Sequence, residues 1–509
     1  MPLFHTIPNE ILCQILGNLD QSSLAALSRA SRFLNTPSAP FPWATISLEN
    51  AGPGTATSWL RPIVSTLMQR RDLAGHVKQL KLREIVNNSA TMKMRKCSVL
   101  HILAYHREFS MPWPEDPGLD DLIRLTIREF LDDTDEESVE DWYKGAKCGD
   151  DEDAILTLLL FLTRNLEQLN LGFVDTPLPK LESLVKKATG GNQGNSTARY
   201  LSHLKHVLCA NFDTQGGNHT DLLYQFLGLP SLQTFRLWRS CQDEELGPSE
   251  FVRSLEEGSL TISSLELRLC IMRSGELFAI LKACKRLKAF IDNFNNLEDW
   301  HDLSSCAIRK VLASQEESIE YLGIGQMTWV PPCYPGPPDS EISFHGFHVL
   351  QYLKVSPLFL GNKDPNSLLG VLPASLRTLH WTICEDLLQH DRVPALLNLL
   401  SHKMDETPQL HTMKLEGCFS REPEGVQAVG QLKILQLAAQ TAGVKLLAIH
   451  TPMGYDDVPT ELSLYECQNT IGLHNEEGSV ERGWGIEDEE EDWGPTTTMY
   501  RFRPMTFQI

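Results

Sequence analysis

The sequence predicts an α/β chain in two parts: a small all-helical module at the front, and behind it a long array of short parallel strands alternating with helices. Two observations predict this. Within the first 48 residues apolar side chains recur at helical spacing. A six-residue pattern, apolar at positions one, four and six, then returns about every 33 residues. Composition agrees: 42% of the 509 residues are hydrophobic and 22% charged, enough apolar mass for a large core.

In the front module, Ile7, Ile11, Ile15 and Leu19 lie four apart, and Leu12 and Leu16 widen the stripe. Pro8 suits a first helical turn, where its missing N–H is no loss. Gly17-Asn18 weakens the end of that helix. Asp20 or Ser22 caps a second helix, which carries Leu24, Leu27 and Ala30 on one face. Phe33 and Leu34 add apolar surface before Asn35 and Pro37 stop it. So small a piece buries too little of its own apolar surface and needs a neighbour.

The run from Ile7 to Asp20, followed by Leu24 to Arg32, resembles an F-box. The matching features are the hydrophobic-Pro-x-Glu start at Ile7-Pro8-Asn9-Glu10, the pair Ile11-Leu12, Leu19 before Asp20, and Leu27-Ser28-x-x-Ser31-Arg32. Trp43 and the strand-like Thr45-Ile46-Ser47-Leu48 are similar to the segment that closes such modules. The resemblance implies a three-helix unit over residues 1–48 that docks on the SKP adaptor and, through it, on a cullin–RING ligase. It implies that Ile7, Pro8, Ile11, Ile15, Leu16, Leu24 and Leu27 divide between adaptor contact and internal core, the sequence leaving open which does which. Phe33 stands where many members have Trp, and Pro37, Pro40 and Pro42 shorten the third helix. Residues 49–76 read as a linker with a first helical cap.

The array is expected over residues 77–469. Its triplets are Val77-Leu80-Leu82, Leu122-Leu125-Ile127, Leu166-Leu169-Leu171, Leu204-Val207-Cys209, Leu232-Phe235-Leu237, Ile262-Leu265-Leu267, Ile319-Leu322-Ile324, Leu350-Leu353-Val355, Leu376-Leu379-Trp381, Leu410-Met413-Leu415 and Val444-Leu447-Ile449. Leu287-Phe290 fails at its last position, where Asp292 sits. Helical patterns lie between them, clearest at 153–164, 221–227, 275–285, 307–314, 393–403 and 425–441. One strand and one helix cannot bury their apolar faces alone, whereas stacked units share a continuous core. The array is similar to leucine-rich repeats: Cys270, Cys384, Cys418 and Asn295 occupy the place after the strand where that family often has Asn or Cys. The resemblance implies an irregular horseshoe, strands on the concave face and helices on the convex one. Residues 87–119, 132–153, 190–197 and 331–338 read as inserted loops. Residues 470–509, with six acids from Glu487 to Asp492, read as an acidic tail without fixed structure.

The net charge of −21 argues against a general nucleic-acid binder. The opening residues lack the pattern of a signal peptide, and the most apolar stretch, Ile155 to Leu162, is too short to cross a bilayer. The 12 cysteines are scattered singly and read as reduced thiols, which points to the cytoplasm or nucleus. No phosphate-cradling loop, nucleophile elbow or metal-spaced His/Cys set is visible, so neither a cofactor, nor a metal, nor catalysis by this chain is expected.

Side chains alternate along a strand, so positions three, five and seven face away from the core. These positions hold Lys81, Arg83, Arg124, Arg128, Arg236, Arg268, Lys354 and Lys414 against the acids Glu266 and Glu416, although the whole chain has 45 bases and 66 acids. Trp238, Tyr321 and Tyr352 lie among them, residue types that anchor interfaces. Arg124, Arg128, Arg236, Trp238, Arg268, Tyr321, Tyr352, Lys354 and Lys414 are therefore the expected contacts to a protein target carrying an acidic or phosphorylated segment. The competing reading is that these bases neutralise the chain's own acids. The function expected is substrate recognition for a ubiquitin ligase. A leucine-rich-repeat scaffold acting without a ligase is the alternative.

Overall fold

The first apolar residue of each pattern fixes the start of a strand. Val77, Leu166, Leu204, Leu232, Ile262, Leu287, Ile319, Leu350, Leu376 and Leu410 are all fully buried. Beside each, one carbonyl accepts two amides from the next unit. Lys78 O takes the N–H groups of Glu167 and Gln168 at 2.8 and 3.0 Å, and Glu167 O takes those of Lys205 and His206 at 2.9 and 3.0 Å. Lys205, Gln233, Ser263, Lys288, Glu320, Gln351 and Arg377 repeat the arrangement.

The computed structural model describes residues 8–19, 21–30, 38, 40–48, 56–85, 113, 117–131, 136–148, 151–173, 178–190, 200–211, 220–238, 249–268, 270, 272–294, 312–326, 343–356, 360, 368–382, 393–417, 423–450 and 470–471. Its sheet has thirteen strands in strict chain order. They are β1 Thr45–Ser47, β2 Gln79–Ile85, β3 Gln168–Phe173, β4 His206–Asn211, β5 Thr234–Trp238, β6 Ser264–Arg268, β7 Ala289–Phe294, β8 Tyr321–Gln326, β9 Tyr352–Val355, β10 Thr378–Thr382, β11 Thr412–Gly417, β12 Lys445–His450 and β13 Thr470–Ile471. Neighbours pair in parallel except β12 and β13, which are antiparallel. The helices are α1 Asn9–Gly17, α2 Gln21–Ala30, α3 Pro40–Ala44, α4 Ala56–Gln69, α5 Arg71–Ala74, α6 Pro117–Leu131, α7 Glu136–Cys148, α8 Glu152–Leu162, α9 Pro179–Thr189, α10 Thr220–Gln225, α11 Glu250–Arg253, α12 Ser274–Ala283, α13 Val393–Ser401, α14 Lys403–Glu406 and α15 Pro423–Thr441. This ladder with intervening helices is compatible with a leucine-rich-repeat-like solenoid. The most apolar stretch lies in α8, every residue of which is buried.

The front module is joined to the ladder. Leu12, Leu16 and Leu24 form its core, with Leu19, Leu27 and Phe41 packed against them. α3, cut to five residues among its prolines, runs directly into β1. β1 pairs with β2, Ile46 opposite Leu80.

Three sequence expectations are corrected. The triplet Leu122-Leu125-Ile127 is no strand: it lies in α6, whose apolar residues Leu119, Ile123, Ile127 and Phe130 are spaced for a helix and buried, leaving Leu125 57% exposed. Residues 132–153 are not a plain loop, because α7 and the start of α8 fall within them. In the last unit the pairing slips by one residue. Met413 stands opposite Leu446 and Leu415 opposite Ala448, so Val444 and Leu446 are buried while Leu447 is only half-buried. The unit that fails at Asp292 nevertheless forms β7, with Asp292 between Leu267 and Ile324. Burial pushes its carboxyl well above the ordinary carboxylate range. Cys270 Sγ reaches back to Leu237 O at 3.2 Å, bridging two units after the strand. Cys384, Cys418, Asn295, residues 191–197 and 331–338, and the tail beyond Ile471 lie outside the described residues.

Gln315 closes the bend before β8. Its Oε1 accepts Leu287 N–H at 3.1 Å, and its Nε2 donates to Leu281 O and Cys284 O at 3.1 and 2.9 Å, all in a site 4% exposed. Gln315→Leu strands these backbone groups. The expected result is a loss of about 3 kcal/mol, read as a lower urea midpoint at unchanged slope.

Candidate interaction surfaces

Helix α1 has two apolar faces of different fate. Leu12 and Leu16 are 1% exposed, while Ile11 and Ile15, one turn apart on the other side, are 46% and 45% exposed. Pro8 C=O accepts Leu12 N–H at 3.0 Å and starts the helix, and Pro8 itself is exposed. The seven expected adaptor residues therefore separate. Pro8, Ile11 and Ile15 face outward, whereas Leu16 and Leu24 are buried and Leu27 half-buried in the module's own core. Leu16 and Leu24 thus fall on the core side of the division that the sequence left open. Ile7 lies outside the described residues.

On the face of the sheet carrying positions three, five and seven, two charged patches stand apart. The first spans β5 and β6. Glu266, 1% exposed, lies between Arg236 and Arg268: Arg236 Nε is 3.2 Å from its Oε2, and Arg268 Nε donates to its Oε1. The Arg268 guanidinium lies 5.7 Å from the centre of the Trp238 ring. Trp238 is 8% exposed, so its contribution is a wall rather than a projecting anchor.

The second patch spans β8 to β11. Tyr321 and Tyr352 stack at 4.3 Å with their planes 7° apart. Tyr352 Oη lies 2.6 Å from His380 Nδ1, and Lys414 Nζ is 5.5 Å from the Tyr352 ring centre. His380 Nε2 and Lys354 Nζ both meet Glu416 Oε2, at 2.8 and 2.7 Å. The Tyr352 hydroxyl donating to Nδ1 places the ring proton on Nε2, toward Glu416. Burial would raise the Glu416 carboxyl, yet Lys354 and His380 hold it well below the usual carboxylate range. Burial, then Lys354, push His380 down to about 4.

The sign follows from which state takes the proton. Above pH about 6.5 His380 is neutral in both states. As the pH falls toward 4 the unfolded chain takes up a proton that the folded chain refuses, and stability is lost over that window. Between about pH 7 and pH 5 that loss is roughly 2 kcal/mol. His380→Gln removes it, which urea midpoints at the two pH values will show.

Arg124 and Arg128 do not join either patch. On α6, Arg124 Nε meets Glu140 at 3.2 Å and its guanidinium lies 3.6 Å from the Tyr143 ring centre, while Arg128 Nη2 meets Glu136 at 2.7 Å. Both tie α6 to α7. Arg236, Trp238, Arg268, Tyr321, Tyr352, Lys354 and Lys414 do lie on the sheet face, in two groups rather than one. His380 was missed by reading each unit's permanent charges alone. Taken down the column of fifth positions, it falls between Lys354 and Lys414.

Residues 4–49 match the F-box-like family. F-box domains generally bind the SKP adaptor of cullin–RING ligases, and this chain carries such a module at its front. No curated protein matches the chain. No helix among the described residues is long and apolar enough to cross a membrane.

Proposed function

We propose that this chain recruits a protein target to a ubiquitin ligase. The front module hands the chain to the SKP adaptor, the repeat array holds the target on its open sheet face, and transfer chemistry belongs to other subunits. The single observation behind the first half is the pair Ile11 and Ile15, left open on a helix whose opposite side is fully packed. An isoleucine pair at that spacing on a rigid helix is an apolar contact awaiting a partner. The array reads as leucine-rich repeats because its inward columns are apolar unit after unit and its strands follow one another in order. Its open face carries the cations and aromatic rings of the two patches, which suit an acidic or phosphorylated segment.

The test is co-purification of the full chain with the SKP adaptor, for the native sequence and for Ile11→Asp/Ile15→Asp. Capture by the native chain and loss in the variant support the reading. A native chain that binds no adaptor at micromolar concentration sinks it, and leaves a repeat scaffold working outside a ligase.

A further inference from the structure

We propose that the open sheet face reads an unmodified acidic segment: two carboxylate side chains about six residues apart, one at the Arg236/Arg268 patch and one at the Lys354/Lys414 patch. The inference rests on that face being the target-binding surface.

The argument for carboxylate over phosphate begins with Glu266 and Glu416. The first patch places two guanidiniums around Glu266, and the second places Lys354 and the neutral His380 on Glu416. Attraction to a ligand grows in proportion to its charge, whereas the cost of stripping its water grows with the square. Such a patch therefore suits a single negative charge better than a phosphate dianion. Glu266 is 1% exposed and held from both sides, so it cannot swing away to make room for one.

Unsatisfied neutral groups point the same way. Trp238 Nε1 and Ser264 Oγ beside the first patch, and Ser356 Oγ and Thr382 Oγ1 beside the second, are buried and have no hydrogen-bond partner among the described residues. Ser264 shares a face of β6 with Glu266, and Thr382 stands opposite Glu416. An indole N–H and hydroxyls of this kind supply neutral donors to a carboxylate without adding charge.

The spacing comes from the ladder. Glu266 on β6 and His380 on β10 mark the patch centres, four strands apart. At about 4.8 Å per strand that is roughly 19 Å, the span of about six extended residues. On β7 and β8, between the two patches, the fifth and seventh positions are Ile291, Asn293, Gly323 and Gly325, none of them charged. The two glycines present no side chain, which leaves the middle of the path low and neutral.

The experiment uses the full chain and fluorescein-labelled peptides of about 14 residues in a Gly/Ser/Thr background, read by anisotropy. One series carries two Asp residues at increasing separation. The other replaces each Asp by phosphoserine. The expected result is tightest binding at about six residues' separation, about tenfold tighter than a single-Asp peptide, with no gain from phosphoserine. Lys354→Gln/Lys414→Gln removes the gain from the second Asp while leaving adaptor capture intact. Binding indifferent to separation, or about tenfold tighter to phosphoserine, overturns the inference. Failure of the underlying reading looks different: neither peptide series binds, and the same lysine variant still captures the cellular target.

Discussion

Ile11→Asp/Ile15→Asp is expected to weaken adaptor binding by at least about a hundredfold, roughly 3 kcal/mol, while leaving the chain folded. Burying the open half of two isoleucines contributes about 2 kcal/mol, and seating two carboxylates in an apolar contact without partners costs several more. The fold is spared because both side chains already stand in solvent, at 46% and 45% exposure. Surface changes of this kind shift stability by about 1 kcal/mol or less. Leu16→Asp provides the contrast: buried at 1% in the core with Leu12 and Leu24, it loses the adaptor by unfolding the module. Pull-down together with thermal unfolding separates the two routes. Equal losses of stability in both variants argue against Ile11 and Ile15 as contact residues.

The second large effect concerns Glu266. Its carboxylate is 1% exposed and its charge is met by Arg236 and Arg268. Arg236→Gln/Arg268→Gln leaves that charge buried and uncompensated, at an expected cost of about 3–5 kcal/mol. Adding Glu266→Gln to the same chain removes the charge and restores most of the loss, since a neutral amide no longer needs a countercharge. Urea denaturation of the double and triple variants measures it. A triple variant no more stable than the double shows that the loss comes from guanidinium packing on Trp238 rather than from the uncompensated charge.

Much of this architecture was legible because it repeats. A column such as Leu204, Leu232, Ile262 needs only apolar residues at a fixed place before each strand, and position one supplied them in each unit from β2 to β11. Leu122-Leu125-Ile127 misled because three apolar residues at that spacing occur on a helix as well. Only the wider stripe of Leu119, Ile123, Ile127 and Phe130 separates the two. The register of β12 failed for a related reason. Val444, Leu446, Leu447 and Ile449 are apolar on both faces, so alternation gave no preference and pairing with β11 decided it. At the candidate sites, residue types were legible and partners were not. That Leu16 turns inward and Ile11 outward depends on how α2 lies against α1. Which lysine meets which glutamate depends on cross-strand register. Neither is written in the spacing of a single segment.

Because β1 continues the front module directly into β2, the sheet acts as a ruler laid from the adaptor end. Each strand adds about 4.8 Å, so cargo seated at β5–β6 lies some 20–24 Å along the ruler from β1, and cargo reaching β10 about 43 Å. On the proposed function, which lysines of a captured protein come within range of the ubiquitin-loaded enzyme is a matter of rung number, and inserting or deleting one unit between β2 and β5 is expected to reset that range without touching either end.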